Sequence, residues 1–205
     1  MIHIIDYGMG NISSIQNMLK KVGAKSVITS NPNEIVSAEK IILPGVGSFD
    51  TGMKGLHDRG WTEVLNKKVL VEKIIVLGVC LGIQLMCRGS EEGNEKGLGW
   101  IDADVVRFKP ENAIEKIRVP HMGWNSIEQK KNIGLLSMNE EQRFYFVHSY
   151  HLQNVNEKFV WAVTGYGYEF VSAVHHENFY GAQFHPEKSH RYGMEFYKNF
   201  ASLKS

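Results

Sequence analysis

Ile74-Ile75-Val76-Leu77-Gly78-Val79-Cys80-Leu81-Gly82-Ile83-Gln84-Leu85-Met86 is the stretch on which the reading of this chain turns. Its opening residues form an unbroken apolar strand, and from Ile83 the pattern resumes as a helix. Cys80, with Gly78 and Gly82 on either side, therefore sits at a sharp strand-to-helix turn. Small neighbours leave the backbone room for such a turn, which pushes the cysteine side chain outward. At the start of a helix the amides and the dipole favour thiolate, the nucleophilic form. The Leu81 amide is well placed to donate to an oxyanion. A core cysteine in a glycine-rich turn is the competing reading of this motif taken alone. Cys87 lies two helical turns further on, about 10 Å away. That is too far to pair with Cys80, and Cys87 reads as a small core hydrophobe.

The same pattern recurs upstream. Ile2-His3-Ile4-Ile5 is a short buried strand before the turn Gly8-Met9-Gly10. Asn11 caps a helix with apolar positions at Ile12, Ile15, Met18, Leu19 and Val22, and Gly23 stops it. Val27-Ile28 begins a second strand, Asn31-Pro32 opens a short helix, and Ile41-Ile42-Leu43 is a third strand. A helix around Trp61 to Val71 leads back to Ile74. This alternation implies an α/β fold with a central, mostly parallel sheet flanked by helices. Downstream, Val105-Val106, Phe144 to Val147, Phe159 to Val163 and Phe170-Val171 predict antiparallel strands in the second half, on the same sheet or beside it. A closing helix over 192–203 turns Met194, Tyr197, Phe200 and Ala201 to one side. With no linker, low-complexity tract or repeat, residues 1–205 read as a single domain.

Composition narrows the function classes. The chain has 23 Lys+Arg against 22 Asp+Glu, a net charge of +1. That balance argues against a nucleic-acid-binding face and excludes an acidic tail. Two cysteines cannot build a disulfide framework or a zinc module of paired cysteines. The first residues carry Asp6 and no basic run, unlike a secretory signal. The apolar run Ile74 to Ile83 falls well short of the roughly 20 residues of a membrane span. The expectation is a cytoplasmic, reducing setting with no membrane partner.

A cysteine nucleophile needs a base. Among nine histidines, His185 ends the apolar strand Tyr180-Gly181-Ala182-Gln183-Phe184 and is followed by Pro186-Glu187. The rigid proline lets the carboxylate orient the imidazole, so Cys80, His185 and Glu187 make a Cys-His-Glu triad. Pro44-Gly45-Val46-Gly47-Ser48-Phe49 ends another strand, at the edge where open α/β sheets bind ligands, and offers a second oxyanion donor. Asp6-Tyr7-Gly8-Met9-Gly10-Asn11 stands where a dinucleotide fingerprint would. Ser13 replaces its third glycine, however, and no acidic residue closes the second strand, so no such cofactor is expected. His148 with His151 and His175 with His176 do not read as metal ligands. Neighbouring strand residues face opposite ways, and neither spacing fits a zinc-protease helix.

Gly-Val-Cys-Leu-Gly-Ile-Gln at 78–84, Pro-Gly-Val-Gly-Ser-Phe at 44–49 and Gln-Phe-His-Pro-Glu-Lys-Ser at 183–189 together resemble the triad (class I) glutamine amidotransferases. Asp-Tyr-Gly-Met-Gly-Asn at 6–11, Val-Pro-His-Met-Gly-Trp-Asn at 119–125 and Tyr-Phe-Val-His-Ser-Tyr at 145–150 are similar to one branch. That branch comprises the glutaminase subunits of imidazole glycerol phosphate synthases, from histidine biosynthesis. The resemblance implies hydrolysis of glutamine to glutamate and ammonia, with Cys80 as nucleophile, His185 relaying protons and Glu187 orienting it. It assigns the oxyanion hole to the amides of Val46 and Leu81, and the glutamine site to Gly47, Gln84, Glu92, His148, Ser149 and Tyr150. It also implies no cofactor and no metal, and a heterodimer with a (β/α)8-barrel cyclase that receives ammonia through a channel. Asn11 and His121, Met122, Gly123, Trp124 and Asn125 match segments that face this partner. Ile83 stands where many relatives carry Met, a swap of similar volume. Two alternatives remain: the same glutaminase feeding another acceptor, such as surface-sugar amination, and a non-catalytic scaffold that regulates a partner.

Overall fold

In a computed structural model of the chain, which describes residues 1–138 and 140–204, the apolar strands line up as one continuous sheet. β1 (Ile2–Ile5), β2 (Ser26–Thr29), β3 (Lys40–Leu43) and β4 (Ile75–Val79) run parallel, in the order β2-β1-β3-β4. β11 (Phe179–Ala182) joins parallel to β4, with Ala182 beside Val79. The rest is antiparallel. β10 (Tyr168–His176), β9 (Val160–Tyr166), β6 (His121–Gln129) and β7 (Gln142–His148) extend the sheet outward. β8 (Tyr150–Gln153) bridges β10 to β5 (Asp104–Arg107). The α/β fold expected from sequence, parallel first and antiparallel later, is what forms.

β1, β3 and β4 are buried along their whole length, and apolar apart from His3 and Lys40, because both faces are covered. Ile4, Ile42 and Leu77 face one core with α1 (Ile12–Lys21) and α5 (His190–Ser202), around Leu19, Phe196 and Phe200. Ile5, Ile41, Leu43 and Val76 face the other, with α2 (Phe49–Asp58), α3 (Trp61–Asn66) and α4 (Leu81–Leu85). From α3 the chain continues through a π-helical turn at Lys67–Val71, together spanning the expected 61–71 helix.

Four local expectations are corrected. α2 was not anticipated, because Gly52 and Gly55 dilute its helical pattern. Both glycines are there for contact: a Cβ on Gly55 would stand 2.8 Å from the Tyr7 carbonyl oxygen, and one on Gly52 would press on Leu85 and Leu81. Asn11 occupies the cap position of α1, but its side chain makes no capping bond, whereas Asn31 accepts from the Asn33 amide at the 3₁₀ turn Pro32–Ser37. α5 buries Gly193, Phe196, Tyr197 and Phe200, while Met194 is exposed. The segment 121–129, seen in the sequence only as a partner-facing motif, is a full strand paired with β7 and β9.

Candidate active site

The C-terminal ends of β1, β3, β4 and β11 lie side by side, so the turns that follow them meet at one edge. Cys80 leaves β4 with φ +52° and ψ −107°, a conformation L-residues rarely adopt. Its amide donates to the Ala182 carbonyl at 2.8 Å, which ties the turn to β11. The turn tolerates no bulk. A Cβ on Gly82 would fall 1.9 Å from the Leu43 carbonyl oxygen, and one on Gly78 would fall 2.7 Å from the Ile83 amide nitrogen. α4 is only five residues long, so it brings a smaller dipole to the turn than a full helix does. The charged partner is instead His185.

His185 and Glu187 are almost fully buried, with Nδ1 2.7 Å from Oε1. The carboxylate only accepts, so Nδ1 carries the proton and Nε2 is left for chemistry. Nε2 has no hydrogen bond within ordinary limits among the described residues, yet Cys80 is near enough to act on it. Burial alone lowers the imidazole; the charge of Cys80, then Glu187, outweigh it and push His185 up to about 10. The expected strand ends at Ala182, three residues before His185. β7 holds the histidine instead: the His185 amide donates to the Tyr145 carbonyl, and the Ser189 hydroxyl links the His185 carbonyl to the Tyr145 amide.

In front of Cys80 lies a cleft of about 260 Å³. Val46, Gly47, Leu81, Gln84, Glu92, His148, Ser149 and Tyr150 line it, so the residues assigned from sequence to the oxyanion hole and the substrate site come together. Glu92 is held there by the Phe49 amide at 2.8 Å. The Leu81 amide already donates to the Gly45 carbonyl at 3.3 Å, so this donor is engaged rather than free.

Sequence reasoning missed Pro120 and Val147 in the cleft wall, and Gln183, whose Nε2 lies 3.8 Å from Cys80 Sγ. Gln183 stands two residues before His185 in a quoted motif, which is the sequence signal that could have pointed to it. Tyr7 was also missed; its buried hydroxyl donates to the Pro44 carbonyl and braces the 44–47 turn.

The 119–125 motif divides by strand alternation. Met122 and Trp124 are exposed, and Trp124 stacks on His190. His121 is 3% exposed, wedged between Phe146 and Tyr166, so it is not a surface contact. Asn125 and Gly123 are half-buried, as is Asn11 at the start of α1.

His175 and His176 do diverge, toward Tyr180 and Phe159. His148 and His151 do not, since the strand breaks at Ser149 and both rings pack on Phe108. No group of three His, Cys, Asp or Glu among the described residues is placed to hold a metal. Cys87 donates to the Ile83 carbonyl inside the core, and burial pushes its thiol up. No helix among the described residues is long and apolar enough to cross a membrane.

Known proteins match this chain along nearly its whole length. The family model "Glutamine amidotransferase class-I" matches residues 3–203. "Imidazole glycerol phosphate synthase subunit HisH 2" of Methanococcus maripaludis is 52% identical over 204 residues, covering 98% of each chain. The protein of the same name from Pseudomonas aeruginosa is 48% identical, covering 99% of this chain and all of its own. A solved "glutamine amidotransferase" superposes with a TM-score of 0.72 at 21% identity, covering 96% of this chain and 98% of that one.

Proposed function

This chain belongs to the class-I glutamine amidotransferase family, and on that premise we propose that it hydrolyses glutamine with a Cys80–His185–Glu187 triad and passes the ammonia to a partner subunit. The observation that carries the reading is Cys80 at positive φ, facing the cleft with the buried His185–Glu187 pair beside it. In this mechanism the Cys80 thiolate attacks the carboxamide carbon, and the oxyanion takes the amides of Leu81 and Val46. For that the Leu81 amide exchanges its long bond to Gly45 for the substrate oxygen. Protonated His185 delivers its proton to the departing nitrogen, ammonia leaves and a thioester remains. Neutral His185 then takes a proton from water, whose oxygen attacks the thioester, releasing glutamate and restoring the thiolate.

Glutamine fits the cleft chemistry. Glu92 suits an α-ammonium group, and Gln84 and the 148–150 backbone offer polar contacts around the rest. The relatives are named as subunits of imidazole glycerol phosphate synthase, which supports a second subunit that consumes the ammonia. We take that subunit to be a (β/α)8-barrel cyclase, bound as a heterodimer over Met122, Trp124, Gly123, Asn125 and Asn11, with ammonia passing through a channel. The chain then acts as one domain in the cytoplasm, a setting in keeping with its two free thiols.

Glutamate release by the purified chain, with and without the cyclase, tests the reading. Cys80→Ala is expected to lose at least about 1,000-fold of the turnover; full turnover in that variant sinks the triad. A different acceptor is a second reading, because the triad and the cleft residues handle glutamine and do not select the subunit that consumes the ammonia. Complementation of a histidine auxotroph lacking this subunit separates the two. Growth supports the histidine-pathway cyclase, and an active glutaminase that gives no growth supports another acceptor.

A further inference from the structure

His121 and His148 share a buried contact that the triad chemistry does not use. His121 Nδ1 lies 3.1 Å from His148 Nε2, and both rings are buried. Burial holds both imidazoles below their ordinary range, His121 at about 4. Near neutrality each ring therefore carries one N–H proton, and its neighbours dictate which nitrogen holds it. His148 Nδ1 is 2.7 Å from the Tyr150 carbonyl, which only accepts, so the proton sits on Nδ1 and Nε2 presents a lone pair. His121 must then donate from Nδ1, which leaves its own Nε2 to accept. Asn125 Nδ2 lies 3.2 Å from that nitrogen, and the Gly165 carbonyl at 2.9 Å holds the amide in the donating orientation. The line of donors runs one way, from Asn125 through His121 and His148 to Tyr150. The same Tyr150 carbonyl receives Gln84 Nε2 at 3.1 Å, and Gln84 also donates to Gln183 Oε1 at 3.0 Å. Gln183 in turn reaches Cys80 Sγ.

We propose that His121 is a positioning residue for the glutamine cleft. Its Nδ1–H satisfies His148 Nε2 and so holds the His148 ring in the Nδ1–H form that bonds the Tyr150 carbonyl, and through that carbonyl the Gln84 amide that lines the cleft beside Cys80. The kinetic consequence rests on the glutaminase reading above; the tautomers do not. Packing is the competing role, because the His121 ring stacks at 4.7 Å on Phe146 and 4.0 Å on Tyr166. Two variants pull the roles apart. His121→Phe keeps a flat ring in the stack but leaves His148 Nε2 buried without a donor. His121→Asn gives up the stack and keeps an N–H close to where Nδ1 stands.

The test combines glutamine kinetics of the full chain, saturated with its partner subunit, with ¹⁵N spectra of the histidine rings. The wild-type spectrum is expected to show both rings as Nδ1–H tautomers, the less common form in water. His121→Phe is expected to raise the KM for glutamine about tenfold with a smaller effect on kcat, while His121→Asn stays within about twofold of wild type. The reverse order, equal losses in the two variants, or an Nε2–H tautomer at His148 overturns the proposal. A wild-type chain with both Nδ1–H tautomers and no glutaminase activity overturns the glutaminase reading and takes the kinetic part with it. The spectrum distinguishes that case from failure of the histidine pair alone.

Discussion

Cys80 accepts backbone strain, roughly 1–3 kcal/mol for a non-glycine residue in so sparsely populated a region, and the bond from its amide to Ala182 helps hold it there. Its partner His185 shows the electrostatic side of the same design. The imidazole is raised to about 10 although burial acts to lower it. Because the folded value exceeds the unfolded one, about 6.5, this stability is fully present below pH 6.5 and lost as pH rises toward 10. Glu187→Gln removes one of the two raising charges. Its expected effects are a lower titration midpoint for the His185 ring by proton NMR, a shallower loss of stability on the alkaline side, and a fall in turnover of roughly 10²–10⁴-fold. An unchanged midpoint contradicts the pairing. The juxtaposition of Cys80, His185 and Glu187 was legible in the sequence because Gly78, Gly82 and Pro186 announce the backbone that presents them. Tyr7 and Gln183 were not, since bracing a turn or flanking a sulfur takes no special spacing.

Elements announced themselves where local chemistry and tertiary role agree. The strands Ile2–Ile5, Lys40–Leu43 and Ile75–Val79 are buried throughout and apolar apart from His3 and Lys40, because helices cover both faces. α2 and β6 were hidden for opposite reasons. In α2, glycines serve neighbours at the expense of helix propensity. In β6, Gly123 and alternating exposed Met122 and Trp124 mask a strand whose other face holds His121 and Asn125. Caps show the same divide. Asn31 accepts from the Asn33 amide at 3.0 Å, whereas the Asn11 side chain caps nothing. Asn31→Ala is therefore expected to cost about 1 kcal/mol in urea unfolding, and Asn11→Ala only a few tenths. Equal costs would show that the Asn31 contact contributes no more than an exposed side chain does.

At the scale of the molecule, one arrangement serves stability and chemistry together. Adjacent parallel strands end at a common edge, so the sheet that buries the two cores also gathers the turns carrying Gly47, Cys80 and His185. The antiparallel half closes the cleft with 147–150 and fills the space behind it with rings, several of them imidazoles around Phe108. Those imidazoles make the fold sensitive to acid. His3, His121, His148, His151 and His175 all have lowered values, with burial the largest cause in each. His3 Nε2 has no hydrogen-bond partner among the described residues. For each of these groups the unfolded chain takes a proton more readily than the folded one. Their contribution is present above the unfolded value of about 6.5 and lost as pH falls, down to about 4 for His121. Each extra proton on the unfolded state tilts stability by about 1.4 kcal/mol per pH unit. His185 acts in the opposite sense, above pH 6.5. Stability should therefore peak close to pH 6.5–7 and fall on both sides, more steeply toward acid because several rings act there against one. Urea midpoints across that range measure it. The acid limb is expected to have a slope of more than one proton, reduced when His3 is replaced by Gln. A stability profile that stays level from about pH 7 to about pH 5 would show that these rings are protonated as easily in the folded chain as in water.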